Sequence, residues 1–434
     1  MRILYVVHGY FPEGVGGIEL HCYYLASALA REHGVGVLSW QSDATKEEYA
    51  VEESRQGEVT VWRLNHRFSN IAAFRETYQN DRIDRIFDGI ADKWRPDMVH
   101  VHHLIGLSTG ILEGTKRRGL PLVLGLHDFW FGCPRGQRIR DSLIVCHEID
   151  RRLCLRCLKP EAYELRAPRK PFWKWLHRLR MPTSRRGLRI LAQYEADMHR
   201  ALSLPDALVT ASSFQREMYR SYGVDERKVH IIPYGLPTTA IAGTKRNASE
   251  RLRVGFLGTL IPSKGAHVLL EAYRILARPD ISLDFHGAWV PFHGDTGYLD
   301  RLKKAAAAIP GDIQFHGRYE PEDVSRILSS LDVLVVPSVW YGSYSIVIRE
   351  GFLAGVPVVA SGHGAMAEAI EHGVNGLLFT PGDAADLATQ LRSLLEEPGL
   401  RERLAAHPKQ VSAVQENAAR HLNLYRSLLG EKRR

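Results

Sequence analysis

The residue with the clearest chemical use is Glu350, a lone carboxylate inside an apolar stretch, 344–353, that has helical spacing. The apolar run 331–336 precedes this stretch and predicts a buried parallel strand. In open α/β sheets, ligands bind beyond the carboxyl ends of the strands. A helix that begins there presents unpaired N–H groups and a partial positive charge, which suit a phosphate. The N–H groups expected to face the phosphate are those of Ser345, Ile346 and Val347.

The Glu350 carboxylate would lie further along the same helix, where it can accept hydrogen bonds from vicinal sugar hydroxyls. The pattern therefore predicts a nucleotide-sugar site. On periodicity alone, it also fits a doubly wound domain with a solvated glutamate and ordinary turn glycines.

A second candidate, Lys264, lies where another strand pattern turns into a helix. The apolar strand 253–258 leads through Gly258 and Thr259 into a loop, and a helix is predicted over 267–277. A lysine at a helix start adds its charge to the helix dipole and can hold a diphosphate. The Gly-x4-Gly-Lys spacing of a Walker loop is absent. No Asp-x-Asp pair follows a predicted strand, so we expect catalysis without a divalent metal.

A glycine pair, Gly16 and Gly17, follows the first predicted strand, 2–7, and begins a helix predicted from about Ile18 to Glu32. Glycines at such a turn let the backbone approach a ligand at a helix N-terminus. A glycine pair alone is also compatible with a simple turn.

Histidines follow two further strand patterns. His127 comes at the end of the apolar strand 122–126, on the predicted ligand edge, where it would be either structural or functional. His100 and His102 alternate along another strand and should share one face, without a carboxylate beside them. Three histidines in four residues could suggest a metal, but this pattern favours a structural role.

Four of the five cysteines fall within 25 residues. They are Cys133, Cys146, Cys154 and Cys157. The last two have the Cys-x2-Cys spacing with which two thiolates bind one tetrahedral zinc, whereas the others are too far apart for a zinc-ribbon signature. A structural zinc and free buried thiols are equally compatible with this segment. Four thiolates would fill the coordination shell, so neither interpretation gives the cysteines a catalytic role.

Between Glu164 and Glu195 the chain carries basic and aromatic residues and no acidic ones. The cations are Arg166, Arg169, Lys170, Lys174, Arg178, Arg180, Arg185, Arg186 and Arg189. Aromatic residues interleaved with cations suit an interface with anionic lipid. A solvated surface helix is the alternative, and no nucleic-acid-binding motif accompanies the charges. We expect peripheral association with an anionic membrane through about 166–189, and no nucleic-acid partner.

The composition is that of a large globular protein with more than one domain. With 434 residues, of which 45% are hydrophobic, the chain can bury more than one core. No apolar run is long enough for a transmembrane helix, and the N-terminus lacks a signal-peptide cleavage pattern. Few cysteines in a long chain fit a reducing compartment, so we expect a cytoplasmic location, on or near the inner face of a membrane.

Residues near Glu350 resemble the C-terminal signature of glycosyltransferase family 4. The matching positions are Glu350, 354–361 (Ala-Gly-Val-Pro-Val-Val-Ala-Ser), Glu368 and 373–376 (Gly-Val-Asn-Gly). Lys264 matches a cation of the family, and Gly16, Gly17 and His127 match its N-terminal glycine loop and a histidine near the donor sugar. The resemblance covers nearly the whole chain except about 130–200.

The resemblance implies a GT-B fold, with two Rossmann-like doubly wound domains facing across a cleft. The expected domains are 1–235 for the acceptor, with a Cys-containing and basic insertion at about 130–200, a linker at 236–250, 251–409 for the donor, and a helix over 410–434 that returns to the first domain. It also implies a retaining transferase that moves a hexose from a UDP- or GDP-linked sugar to a glycan or lipid-linked acceptor. Cell-surface polysaccharide or glycoconjugate synthesis would be its context, with no cofactor for catalysis.

In that interpretation Glu350 binds the ribose hydroxyls, Lys264 stabilises the diphosphate, and His127 approaches the sugar. Two departures concern charges: Gly342 stands where the family has a glutamate, and Thr259 where it has an arginine. Arg349 is a candidate substitute for that arginine, and Tyr234 replaces an asparagine. The lost charges leave an alternative open, a catalytically reduced sugar-nucleotide-binding protein or partner subunit. An epimerase or phosphorylase of the same fold fits less well, because no pyridoxal lysine pattern is present.

Overall fold

The computed structural model describes residues 1–14, 16–140, 142–158, 185–242 and 251–430. The chain divides into two compact units. The first comprises Met1–Arg138, Cys146–Gly235 and Val414–Arg434, and the second comprises Ile139–Val145 and Leu236–Ala413.

The first unit is built on an eight-stranded sheet with the order β3-β4-β2-β1-β5-β6-β7-β8. Its strands are β1 (Arg2–Val7), β2 (Gly34–Gln41), β3 (Val51–Gln56), β4 (Val59–Asn65), β5 (Met98–Val101), β6 (Leu122–Leu126), β7 (Ala207–Thr210) and β8 (Val229–Ile231). All neighbours pair in parallel except β3 and β4, which are antiparallel. Its helices before residue 236 are α1 (Gly17–Leu29), α2 (Asp81–Trp94), α3 (Gly110–Arg117), α4 (Arg151–Leu158), α5 (Arg185–Ser203) and α6 (Ser213–Arg220).

The central strand β1 shows why the continuous apolar runs fold as parallel strands. Leu4 and Val6 pack into one hydrophobic cluster, while Ile3, Tyr5 and Val7 pack into another. Because alternate side chains of a strand point to opposite faces, both faces of this sheet are covered.

The second unit contains a six-stranded parallel sheet with the order β11-β10-β9-β12-β13-β14. Its strands are β9 (Leu252–Leu257), β10 (Ile281–His286), β11 (Asp312–Gly317), β12 (Val333–Val336), β13 (Val358–Ser361) and β14 (Leu377–Phe379). Its helices are α7 (Thr238–Ile241), α8 (Ala266–Leu276), α9 (Tyr298–Ala307), α10 (Val324–Ser329), α11 (Ile346–Leu353), α12 (Gly364–Ala369), α13 (Ala384–Glu396) and α14 (Leu400–Ala405). The predicted fold class, two parallel α/β sheets, is confirmed.

The last helix, α15 (Val414–Leu428), belongs to the first unit. Ala418, Leu424 and Tyr425 pack in the same cluster as residues of β1 and α1. Short 3-10 turns occur at Phe74–Thr77, Glu226–Lys228, Pro262–Lys264 and Pro321–Asp323.

Each sheet has a point at which the strand order reverses. In the first sheet it lies between β1 and β5, and in the second it lies between β9 and β12. The crevice beyond the carboxyl ends of such a strand pair is where ligands bind in open α/β sheets. The loops after these four strands are therefore the places to look for a site.

Two features concern the surface of the chain. Over the part that the structure describes, no helix is both long and apolar enough to cross a membrane. The proposed lipid-binding segment lies mostly outside the described residues. Its last cations, Arg185, Arg186 and Arg189, are on α5 and are exposed.

Candidate functional site

Lys264 lies at the reversal point of the second sheet, on the loop after β9. Its ammonium is 5.4 Å from the centre of the Trp340 ring, which belongs to the loop after β12. Burial lowers the pKa of Lys264. No carboxylate pairs with it among the residues described, so its charge is available for an anionic ligand.

Gly265 explains how the two loops come together. Its φ is 76°, and a Cβ atom there would lie 1.8 Å from the carbonyl oxygen of Pro337. Only glycine adopts this conformation and permits this approach without strain. The loop that carries Lys264 is thereby held against the end of β12.

Glu350 lies in the middle of α11 and is buried, with 9% of its surface exposed. Burial raises the pKa of Glu350 to about 7. Nearby Tyr319 is half-buried, and desolvation followed by the charge of Glu350 raises the pKa of its phenol. In the described part of the chain no cation pairs with Glu350, so hydroxyl donors from a ligand would stabilise its charged form.

The start of α11 is shaped by Ser345, which has a left-handed conformation with φ of 59°. The first N–H groups of a helix have no partner inside it, and here they follow β12. Arg349 donates hydrogen bonds back to the carbonyl oxygens of Tyr344 and Ser345. Its guanidinium also lies 4.1 Å from the centre of the Tyr344 ring.

The guanidinium of Arg349 is therefore hydrogen-bonded within its own loop. Its donors satisfy the two carbonyl groups that precede α11, and burial lowers its pKa. The interpretation of Arg349 as a substitute for the arginine missing at Thr259 finds no support in this geometry. Thr259 itself is half-buried after β9, next to Gly258.

The second unit thus brings together, at one edge of its sheet, the predicted residues Gly258, Thr259, Lys264, Ser345, Ile346, Val347 and Glu350. This arrangement offers one half-buried cation, one helix N-terminus and one buried carboxylate. The first two suit a diphosphate, and the third suits a pair of hydroxyl groups.

His127 has an environment that the sequence did not indicate. It is 3% exposed, and both ring nitrogens are engaged within the first unit. Nδ1 lies 2.6 Å from the Tyr234 hydroxyl, and Nε2 lies 3.2 Å from Nδ1 of His102. Burial, together with the nearby His103, lowers the pKa of His127 to about 3. In this arrangement neither nitrogen is available to a sugar, which favours a positioning role over direct contact.

His127 belongs to a cluster of five buried histidines, His21, His100, His102, His127 and His421. The rings of His100 and His102 stack at 4.1 Å, as the alternation along β5 predicted. Burial lowers the pKa of each of the five side chains. Four of them have ring nitrogens that are buried without a hydrogen bond in the described chain.

Two histidine–carboxylate pairs at the reversal point of the first sheet were missed at the sequence level. His8, just after β1, lies 3.2 Å from the carboxylate of Glu19, and His103, after β5, lies 3.1 Å from that of Asp128. The rings of His8 and His103 are 4.6 Å apart. Burial opposes both charges of the first pair, but their attraction prevails, so the pKa of Glu19 falls to about 2 and that of His8 rises.

The glycine loop is built around one of these carboxylates. A Cβ atom on Gly16 would lie 2.5 Å from Oε2 of Glu19, so the Glu19 side chain folds back against the loop. Gly17 begins α1, and Gly16 precedes it. The signal that could have identified this site was the position of His8 and His103 directly after the two strands that flank the reversal point.

One group of potential metal ligands stands out in the described residues. The ligand atoms of Asp284, His286 and His316, at the ends of β10 and β11, lie within 4.8 Å of one another. The four clustered cysteines are all in reduced form and form no group of this kind. The zinc site at the cysteines therefore stays a prediction.

Comparison with known proteins gives matches along almost the entire chain. Residues 15–240 match the family described as Glycosyltransferase Family 4, and residues 239–411 match the family described as Glycosyl transferases group 1. The chain is 25% identical to an uncharacterized glycosyltransferase of Methanocaldococcus jannaschii over 94% of this chain and 93% of the relative. It is also 25% identical to glycogen synthase of Mycobacterium tuberculosis, over 94% and 90% respectively.

Among solved structures, the crystal structure of HepE of Anabaena in complex with UDP and glucose is similar in fold. The TM-score is 0.67 at 18% identity, over 98% of this chain and 100% of that one.

Proposed function

The chain is a member of glycosyltransferase family 4 with a GT-B fold, and from that premise we propose that it is a retaining hexosyltransferase that uses a UDP- or GDP-linked sugar donor. The observation that carries this proposal is the edge of the second sheet. There a half-buried lysine, a helix N-terminus and a buried glutamate follow the strands that flank the reversal point.

The diphosphate of the donor would bind between Lys264 and the N-terminus of α11. Negative charge develops on the diphosphate as the sugar departs, and a lysine that lacks a carboxylate partner in the described chain stabilises that charge most in the transition state. The aromatic face of Trp340 keeps the ammonium in place without neutralising it. This positive charge makes a divalent metal unnecessary, so the proposed reaction is metal-independent.

The ribose of the donor would bind to Glu350. Its pKa of about 7 means that part of the population is protonated near neutral pH. Two hydroxyl groups that donate to the carboxylate favour its charged form, so binding of the nucleotide would lower that pKa.

The first unit would hold the acceptor. Glu19 and Asp128 are ionised and partly exposed at the reversal point of its sheet, and carboxylates accept hydrogen bonds from sugar hydroxyls. His127 would position this region through Tyr234 and His102. In a retaining reaction the acceptor hydroxyl attacks the face that the donor phosphate leaves, and the phosphate takes the proton.

The acceptor would be a glycan or a lipid-linked saccharide, in the synthesis of a cell-surface polysaccharide or glycoconjugate. The basic segment of about 166–189 supports peripheral association with an anionic membrane from the cytoplasmic side. Donor specificity for UDP has the support of the UDP in the HepE complex.

A panel of UDP- and GDP-linked hexoses tests this function. Purified full-length protein is incubated with each donor, with and without a lipid-linked acceptor, and the released nucleotide is measured. We expect release to rise when both substrates are present, and product analysis should show the donor's anomeric configuration retained. Inverted product would refute the retaining mechanism.

One structural observation favours a second function, that of a sugar-nucleotide-binding protein or partner subunit with reduced catalysis. Thr259 supplies no charge, and Arg349 is bonded to Tyr344 and Ser345. Tight binding of a nucleotide sugar without turnover on any acceptor of the panel would establish this function in place of the enzyme.

A further inference from the structure

The four clustered cysteines come from three separate segments of the first unit. Cys133 lies in the loop after β6, and Cys146 lies further along the same connection, before α4. Cys154 and Cys157 are one turn apart on α4. On a helix, residues three apart share a face, so these two thiols point to the same side. The fifth cysteine, Cys22, is buried in α1 among apolar residues.

Two arginines connect the three segments. Arg138 donates a hydrogen bond to the carbonyl oxygen of Cys146 over 3.0 Å. Arg135 donates to Sγ of Cys157 over 2.9 Å. The loop that carries Cys133 is thus in direct contact with the other two segments.

The sulfur of Cys133 faces the same two arginines. It accepts hydrogen bonds from the backbone N–H groups of Arg135 and Arg138, whose side chains hold Cys157 and Cys146. Cys133, Cys146 and the Cys-x2-Cys pair on α4 are therefore held around one short loop, and four cysteines of this kind are a ligand set for a structural zinc.

We propose that Cys133, Cys146, Cys154 and Cys157 bind one zinc ion, which joins α4 to the loop that follows Asp128. Binding replaces four S–H bonds with four Zn–S bonds and releases four protons, which leaves the cluster with a net charge of −2. Arg135, already bonded to Cys157, would offset part of that charge as an outer partner of the ligands. This proposal is independent of the sugar transfer.

Zinc binding requires a movement of the cysteine side chains. Within the described residues no three of the four sulfurs lie within 4.8 Å of one another. Ligation at about 2.3 Å in a tetrahedron places sulfurs about 3.8 Å apart. Rotation of a cysteine side chain about χ1 carries its sulfur around the Cα–Cβ bond. A change of rotamer therefore changes the distances between the sulfurs.

The competing group is Asp284, His286 and His316. The two imidazole rings stack with an angle of 7° between their planes and a centre-to-centre distance of 4.2 Å. The nitrogen lone pairs of stacked rings lie in two nearly parallel planes, so they do not converge on one ion. His316 also lies 2.7 Å from the carboxylate of Asp284, so a hydrogen bond accounts for this contact.

Metal analysis by mass spectrometry of the full-length protein tests the proposal. The protein is purified without chelator and without a metal-binding tag, and then reconstituted with zinc under anaerobic conditions. We expect about one zinc per chain. Double substitution of Cys154→Ser and Cys157→Ser should abolish it, whereas Cys22→Ala and the pair His286→Ala and His316→Ala should retain it. Zinc retained in the cysteine variant, or lost with the histidines, would overturn the proposal.

A second measurement does not depend on the folding of a variant. A mercurial reagent is titrated into the wild-type protein, and zinc release is followed with a colorimetric chelator. Release in step with modification of four thiols is expected, and cobalt substitution should give intense visible bands together with thiolate-to-metal charge transfer. A protein that holds no zinc after reconstitution, or a cobalt spectrum without thiolate bands, would refute the assignment.

Discussion

The hydroxyl of Tyr234 lies 2.6 Å from Nδ1 of His127, and both residues are buried in the first unit. The other nitrogen of His127 faces Nδ1 of His102 at 3.2 Å. A neutral imidazole has one donor and one acceptor nitrogen, so the phenol and His102 together determine which tautomer His127 adopts. This tyrosine occupies the position where the family has asparagine.

Replacing Tyr234 with phenylalanine should destabilise the first unit. The change leaves a buried nitrogen of His127 without its partner, which costs about 1–3 kcal/mol. Urea denaturation measures the loss. Tyr10→Phe is the matched control, because the hydroxyl of Tyr10 is buried without a hydrogen bond in the described chain. Equal stability losses in the two variants would contradict the importance of the contact.

The buried histidine cluster should make the first unit sensitive to acid. The pKa values of its five histidines are lowered in the folded state, to about 3 for His127 and about 4 for His421. The unfolded chain, with histidine pKa values near 6.5, therefore binds more protons below that pH. Each such histidine stabilises the fold fully above pH 6.5 and loses about 1.4 kcal/mol per pH unit as the pH falls toward its folded pKa.

Urea denaturation between pH 7.5 and 5 checks this prediction. His8, Asp84 and Glu350 act in the opposite sense, because their pKa values are raised in the folded state, but the five histidines outnumber them. The variant His421→Gln should show a slope that is smaller by about one proton. A free energy of unfolding that does not change between pH 7.5 and 5 would contradict the prediction.

Donor binding should depend on the charge of Glu350. Its pKa is raised to about 7 by burial, and only the carboxylate accepts two hydroxyl donors. Below pH 7, affinity for UDP should fall about tenfold per pH unit. Calorimetric titration at pH 6, 7 and 8 measures this. Glu350→Gln should weaken binding and remove the pH dependence, while Glu371→Gln, on the surface of the same unit, should change neither.

Lys264→Ala should reduce turnover more than stability. Removing a preorganised positive group that acts on the developing charge of a leaving group costs roughly 10²–10³-fold in kcat. Lys303→Ala is the control, since Lys303 is an exposed lysine on α9 of the same unit. Steady-state kinetics with the most active donor of the panel would measure the change in kcat. A kcat within twofold of the wild-type value would remove Lys264 from the proposed mechanism.

The parts of the molecule that the sequence could predict are those dictated by burial. Strands such as β9 and β12 are covered on both faces and therefore appear as continuous apolar runs. The strand β3 was missed because it lies at the edge of its sheet with polar, exposed side chains, Val51–Gln56. Its extended conformation is stabilised by its antiparallel pairing with β4.

The candidate site, too, has a part that could be predicted from the sequence and a part that could not. The placement of Lys264 and Glu350 followed from their positions after predicted strands. The positions of His8 and His103 directly after strands are visible in the sequence, but their pairing with Glu19 and Asp128 is not, because it depends on how the loops fold and on β5 and β6 becoming neighbours. The hydrogen bonds from Arg349 to Tyr344 and Ser345 depend on the conformation of one turn. They could not be predicted, because the sequence contains no periodic signal for that turn.

At Gly342, the effect of a substitution on backbone conformation can be separated from its effect on donor specificity. Its φ is +57°, and no atom lies within 4 Å of the place where its Cβ would be. Any other residue here is strained by about 1 kcal/mol but meets no steric obstacle. Gly382 has φ of +80° and the same open surroundings, away from the proposed site, so it is the matched control.

We expect Gly342→Ala and Gly382→Ala to lower the free energy of unfolding by similar amounts, because the backbone penalty is the same. Gly342→Glu should in addition change the order of preference among the hexose donors, since it adds the carboxylate that the family has at this position. Gly382→Glu should leave that order unchanged. Identical donor preferences for Gly342→Glu and the wild-type protein, measured as kcat/KM across the panel, would show that the loop after β12 does not contact the sugar.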